Sequence, residues 1–291
     1  MMNRRTAMKT MLALPALARS ARPAGAAGQP GGAWTPLFDG RDLAGWETFL
    51  GKPHQLVVVP GEPKNDRGEY LAPIGVGRDP TAVFSVVEAD GGPAIRVSGE
   101  IYGALTTRAE YENYHLRFEF KWGEKRWPPR EEMRRDSGCC YHAVGPHGAS
   151  YGFWMQSCEF QIQEDECGDF YSLAGVIVDA EGEPVTPGDP NTELTYRKGA
   201  AKVVGHTRRI IKSGGTEKPK GQWNTLELYC LGQTSVHVVN GTPNMVLTGL
   251  RRKVDGGEAP LTKGRLQLQS EGAEVFYRNI AVRSISELPA T

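Results

Sequence analysis

The chain lacks the motifs from which most enzyme assignments start. It has no CxxC pair, so a structural zinc site has no basis in the sequence. It has no phosphate-cradling glycine loop and no HExxH, which removes the nucleotide-binding and zincin readings. Net charge is also missing: 34 Lys+Arg balance 34 Asp+Glu. No global field therefore draws the protein to nucleic acid or to acidic membranes. No apolar run reaches the length of a membrane span. Amphipathic helical windows are scarce, and only 110–113 suggests a single turn.

Turn formers and short strands are plentiful. Gly and Pro number 36 and 20, and hydrophobic residues make up 39%, which suits a loop-rich β protein with a real core. Strands are expected over 83–88, 94–98, 104–107, 114–122, 139–143, 157–163, 223–230, 235–239, 265–269 and 275–283. Residues 179–220 read as irregular, with a strand only at 201–204, and 51–80 as a long surface loop. Asn240-Gly241 is a tight-turn signal. Many short strands separated by turns predict an all-β fold, a sandwich of two antiparallel sheets. Phe118, Phe120, Phe160, Ile162 and Leu226 should be buried between the sheets.

The N-terminus reads as an export signal over 1–28. Arg4 and Arg5 precede a short apolar run at 11–18, and small residues at 24–27 suit cleavage. Residues 3–9 resemble a twin-arginine signal. A linker over 29–35 and one domain over 36–288 complete the expected organisation, that of an exported protein, periplasmic or extracellular. The five cysteines, an odd number, lie beyond this segment. Cys139 and Cys140 read as apolar fillers, and Cys158 and Cys167 as candidates to close the hairpin between them.

The most informative stretch is 154–169. On a strand, Cys158, Phe160 and Ile162 share an apolar face, and Glu159, Gln161 and Gln163 share a polar one. A polar row at that spacing suits sugar hydroxyls. An acidic loop, Glu164 to Glu166, follows, closed by Cys167-Gly168-Asp169. The basic run 121–130, with Arg134 and Arg135, reads as a loop bordering a sugar cleft. Its mixture of cations and aromatics also suits single-stranded nucleic acid, which the neutral net charge disfavours.

Six segments in order, from Leu37-Phe38-Asp39-Gly40 with Gly45-Trp46 through Asp136-Ser137-Gly138, Glu159-Phe160-Gln161-Ile162, Gly221-Gln222-Trp223-Asn224 and Asn240-Gly241 to Leu268-Gln269 with Phe276-Tyr277-Arg278-Asn279-Ile280, resemble the 3-keto-disaccharide hydrolase domain family. The resemblance implies a concanavalin A-like jelly roll and cleavage of glycosides whose glucose ring carries a ketone at C3. The chain departs from the family pattern at Glu271, where a His is frequent.

Jelly-roll glycosidases of the laminarinase type carry E-x-D-x-E on one strand. Here the same face reads Glu159, Gln161, Gln163. An amide neither attacks as a carboxylate nor supplies an acidic proton, so the strand lacks the second member of the two-carboxylate mechanism. A 3-keto sugar asks for less. One base removes the proton at C2, an acid protonates the leaving oxygen at C1, and water then adds back. This assigns Glu159 as base and Glu164 or His142 as proton donor. Gln161, Gln163 and Gln269 would bind hydroxyls, and Trp154 or Tyr171 would stack on a sugar ring. Glu166 and Asp169 are the candidate ligands of a divalent cation. The alternative is a non-catalytic carbohydrate-binding, lectin-like module. The two differ at Glu159: a lectin can leave it exposed, whereas an enzyme should bury it beside a proton donor.

Overall fold

The computed structural model describes residues 32–291. The expected export signal at 1–28 lies outside them. Among the described residues there is no helix, and none is long and apolar enough to cross a membrane. Two antiparallel sheets pack face to face as a concanavalin A-like jelly-roll sandwich. The back sheet runs Phe84–Ala89, Gly92–Val97, Ala273–Ser284, Tyr114–Arg126, Asn224–Leu231, Thr234–Val239, Thr242–Val254, Val176–Pro184 and Lys202–His206. The front sheet runs Gly75–Val76, Trp46–Leu50, Gly103–Thr107, Lys263–Ser270, Gly138–Val144, Gln156–Gln161, Phe170–Leu173 and Ile210–Ile211. Val176–Pro184 also pairs with Leu194–Tyr196, which joins the two sheets along one edge.

Period-two patterning places the core. Asn224–Leu231 alternates buried and half-buried along its whole length. Phe118, Phe120, Phe160, Ile162 and Leu226 are all fully buried between the sheets, as the alternation predicts. Phe160 stacks on His237 of the back sheet at 4.1 Å, which sets the register of the front sheet over the back. Asn240 and Gly241 both have positive φ, 50° and 81°, as a tight turn between twisted strands requires.

Other expectations need correction. Residues 110–113 form no helical turn; Tyr111–Glu112 is a short strand on Lys263–Ser270. The region read as irregular, 179–220, begins inside Val176–Pro184, a nine-residue strand whose apolar residues pair along the back sheet despite a polar second half. Cys158 and Cys167 are not bridged. All five cysteines are free and buried in the interior, where burial pushes their thiols up.

His142 is the largest departure. The Gly138–Val144 strand slips register against Lys263–Ser270 between Ala143 and Cys140, and His142 takes a positive φ of 51°. This bulge turns the imidazole inward, edge-on to Tyr114 and Tyr141 at 5.8 and 5.4 Å. The ring is wholly buried, and neither nitrogen has a hydrogen-bond partner. Burial lowers its pKa to about 4. The linkage has a definite sign. Above pH 6.5 the ring is neutral whether folded or not. As pH falls from 6.5 to 4 the unfolded chain takes up a proton that the folded chain refuses, so stability is lost across that window, by roughly 3 kcal/mol for this ring. His237, also lowered to about 4 by burial, adds a similar loss. His142→Phe should therefore flatten about half of the histidine-driven fall in urea-unfolding free energy between pH 7 and pH 4.5. An unchanged slope would place the titration elsewhere.

Candidate functional site

Neither face of the central front-sheet strands is open. Gly138–Val144 is buried at every position but its last, and Gln156–Gln161 at every position but its first. The apolar face meets the back sheet. The opposite face is roofed by loops, and there the polar groups collect.

Glu159 sits at the centre of this outer face, opposite Cys140 on one neighbouring strand and Tyr171 on the other. It is only 4% exposed. Its carboxyl lies over Gly138, and so does the Oε1 of Gln269; a methyl group at Gly138 would overlap both. Nε2 of Gln269 donates to Cys140 Sγ at 3.3 Å, and its Oε1 has no partner. Burial pushes the Glu159 pKa up to about 8, the nearby Asp136 charge adds to the rise, and the Gln269 amide opposes it.

Two further carboxyls complete the cluster. Asp136 accepts from Arg130 Nη2 at 2.6 Å and from Gln163 Nε2 at 2.5 Å, and its Oδ1 has no partner. Burial raises its pKa, with the Arg130 guanidinium holding it back. Glu271 lies 3.9 Å from Arg130 Nη1. Burial, together with the charges of Asp136 and Glu159, holds its carboxyl well above the usual range. Arg130 Nε is unpartnered as well. Buried polar atoms are normally paired. Three lone ones converging beside three carboxyls mark a place where a polar ligand completes the bonding.

The floor is apolar. Trp154 packs with Ala104, Cys140 and Leu173, and its indole N–H donates to Gly103 O at 3.2 Å. Gln267 braces the floor, accepting from Met155 N and donating to Thr106 Oγ1. Gln161 points to the same face, where its Oε1 accepts from Ile162 N. A cleft of about 670 Å³ opens alongside, lined by Lys52, His54, Tyr102, Pro129, Tyr151 and Phe153.

The structure thus brings together Glu159, Gln161, Gln163, Gln269, Trp154 and Tyr171, and leaves the other candidates elsewhere. The strand ends at Gln161, yet the following bend still carries Gln163 back to Asp136. The same bend takes Glu164 away, into a bidentate engagement with Arg135 backbone and guanidinium at 2.8 Å each. It borders a separate cavity of about 600 Å³ with Trp122, Lys212 and Glu217. His142 is in the core. Glu164 and His142 are therefore not positioned to donate a proton beside Glu159. Glu166 and Asp169 make no cation site. Glu166 pairs with Arg134 and Arg209, each at 3.0 Å, and Asp169 is held by Arg209 at 2.6 Å and by the Lys212 backbone at 3.0 Å. Their oxygens are already neutralised by protein cations. Among the described residues no group of three or more metal-ligating side chains is placed to hold a metal ion. The basic run is similarly engaged: Lys121 pairs with Asp90, Arg134 with Glu166 and Arg135 with Glu164, while Arg130 reaches the carboxyl cluster.

The sequence reading missed Asp136, Arg130 and Glu271 as site residues. The signals were present: an Asp in the family-like segment 136–138, an Arg in the cleft-border loop and a carboxylate at a departure from the family pattern.

The family profile described as 3-keto-alpha-glucoside-1,2-lyase-like domain matches residues 33–283. No curated protein matches the chain. A solved structure of a putative glycosyl hydrolase from Parabacteroides distasonis ATCC 8503 is similar at 20% identity, covering 87% of this chain and 100% of that one, with a TM-score of 0.45. A Bacillus licheniformis β-glucanase is similar at 9% identity over 88% and 99% of the two chains, with a TM-score of 0.41. A carbohydrate-binding module from Bacillus subtilis is similar at 8% identity over 69% and 92%, with a TM-score of 0.39.

Proposed function

We propose that this chain, which belongs to the 3-keto-alpha-glucoside-1,2-lyase-like family, is an exported enzyme that cleaves 3-keto-glucosides and 3-keto-disaccharides by elimination followed by hydration. The observation that carries the reading is the burial of Glu159 beside two further raised carboxyls, the setting that separates an enzyme from a lectin. Ionised Glu159 takes the proton from C2, which the C3 ketone has made acidic. Glu271, held protonated, gives its proton to the leaving oxygen as the C1–O bond breaks. Water then adds across the new C1=C2 bond, with hydroxyl to C1 and hydrogen to C2. Glu271 takes the donor role that the sequence had suggested for Glu164 or His142. Arg130 holds Asp136 in place, and the free atoms of Asp136, Arg130 and Gln269 bind hydroxyls and the ketone oxygen.

The magnitudes favour a keto sugar. General base catalysis contributes about 10²–10⁴-fold, whereas the slowest hydrolyses need on the order of 10¹⁷-fold. A ketone next to C2 lowers the intrinsic barrier to within reach of one base and one acid. The experiment is incubation with a disaccharide and with its 3-keto form. Product should appear only from the keto form. Its kcat/KM should climb with pH to a bend near 8, where Glu159 becomes ionised. Equal cleavage of both sugars would overturn the reading. Binding of both with release from neither would leave the lectin-like module.

A further inference from the structure

Trp154 and Tyr171 were the sequence-based candidates for stacking on a sugar, but Trp154 is 5% exposed and serves as floor. The aromatic surface actually offered is Tyr151, which is 79% exposed. Its presentation is built. Ser150 and Trp154 exchange backbone hydrogen bonds at 2.8 and 3.1 Å, pinching the chain so that Tyr151 stands at the tip. Tyr151 itself has φ 52°, a region that bulky residues seldom occupy. Trp154 meets its ring edge-on at 6.1 Å. Strain of this kind persists where the surroundings impose it, and an outlier that projects a large ring into solvent calls for a ligand on that ring.

The place fits a second ring of the substrate. Tyr151 lines the 670 Å³ cleft beside the carboxyl cluster and also a 370 Å³ cavity on its other side, with Ser172 and Arg208. Tyr102, in the same cleft, brings its hydroxyl close to Gly272, next to Glu271, and Pro129 precedes Arg130. The cleft is therefore the exit from the reacting centre. Its rim is polar, with Lys52, His54, Gln55 and Glu69 around the aromatic surfaces. A pyranose offers C–H faces to a ring and hydroxyls to such a rim; a flat aryl group would leave the rim unused. We infer that Tyr151 is the stacking platform for a pyranose ring on the leaving-group side, so that disaccharides are preferred over glucosides with small leaving groups. This rests on the site reading above.

Binding and turnover separate the two. Calorimetry with the unoxidised disaccharide and with methyl glucoside should show wild type binding the disaccharide more tightly. Tyr151→Ala should erase about a tenfold preference, the scale of one aromatic contact, and Tyr151→Trp should retain it. Tyr151→Gly relieves the positive φ, so its thermal midpoint should hold while disaccharide affinity falls. Loss of the preference without turnover of either keto sugar would keep the platform and remove the lyase reading. Equal affinity of wild type for both sugars, or an unchanged preference in Tyr151→Ala, would overturn the platform even if keto sugars are cleaved.

Discussion

Glu159→Gln is expected to lower kcat/KM on a 3-keto-disaccharide by about 10²–10⁴-fold, the usual contribution of a general base. The amide is nearly isosteric with the carboxylic acid, and the site holds Glu159 protonated over much of the neutral range. The variant should therefore fold normally and bind sugar with unchanged affinity. The bend in rate near pH 8 should vanish with the carboxyl. A variant that keeps the rate and the bend would move the base to another raised carboxyl of the cluster.

The second large effect is expected from a residue with no chemistry of its own. Gly138→Ala should cost about 10²-fold in kcat/KM. The Cβ would occupy the space now taken by the Glu159 and Gln269 oxygens, and displacing a catalytic group by about 1 Å has that cost. Gly138 has no positive φ, so alanine suits the strand and the backbone pairing with Gln161 should survive. The damage should fall on the Glu159 carboxyl and the Gln269 amide beside it. A double variant, Gly138→Ala with Glu159→Gln, should be hardly slower than Glu159→Gln alone, since both act through one group. Full additivity would show that Gly138 matters for some other reason, and a fall in the unfolding midpoint beyond a few degrees would point to the fold.

The candidate site was partly legible before any coordinates. Glu159, Gln161 and Gln269 lie on strands, where a period of two assigns each side chain to a face, and the apolar identity of Phe160 and Ile162 decides which face is which. Gln163 and Glu164 fall just past the strand end at Gln161. There the period stops applying, and the two residues part company, one toward Asp136 and the other toward Arg135. His142 was misplaced because a single bulge reverses the face of a strand residue. The slip comes from pairing with residues more than 120 positions away, which local sequence does not report.

The sequence by itself determined the sandwich, the core face and the centrality of Glu159, because alternation is a local property of an extended chain. It also determined the absence of a second carboxylate on that strand, since residue type needs no geometry. Only the tertiary structure decided which distant groups meet Glu159. Arg130 and Asp136 come from one loop and Glu271 from another, and the ends of both are set by the pairing of the two sheets. Burial by those loops, with the Asp136 charge, raises the Glu159 pKa, and pairing with Arg134, Arg209 and Lys212 occupies Glu166 and Asp169. Desolvation and ion pairing depend on what lies within a few ångströms, and that is a property of the folded chain.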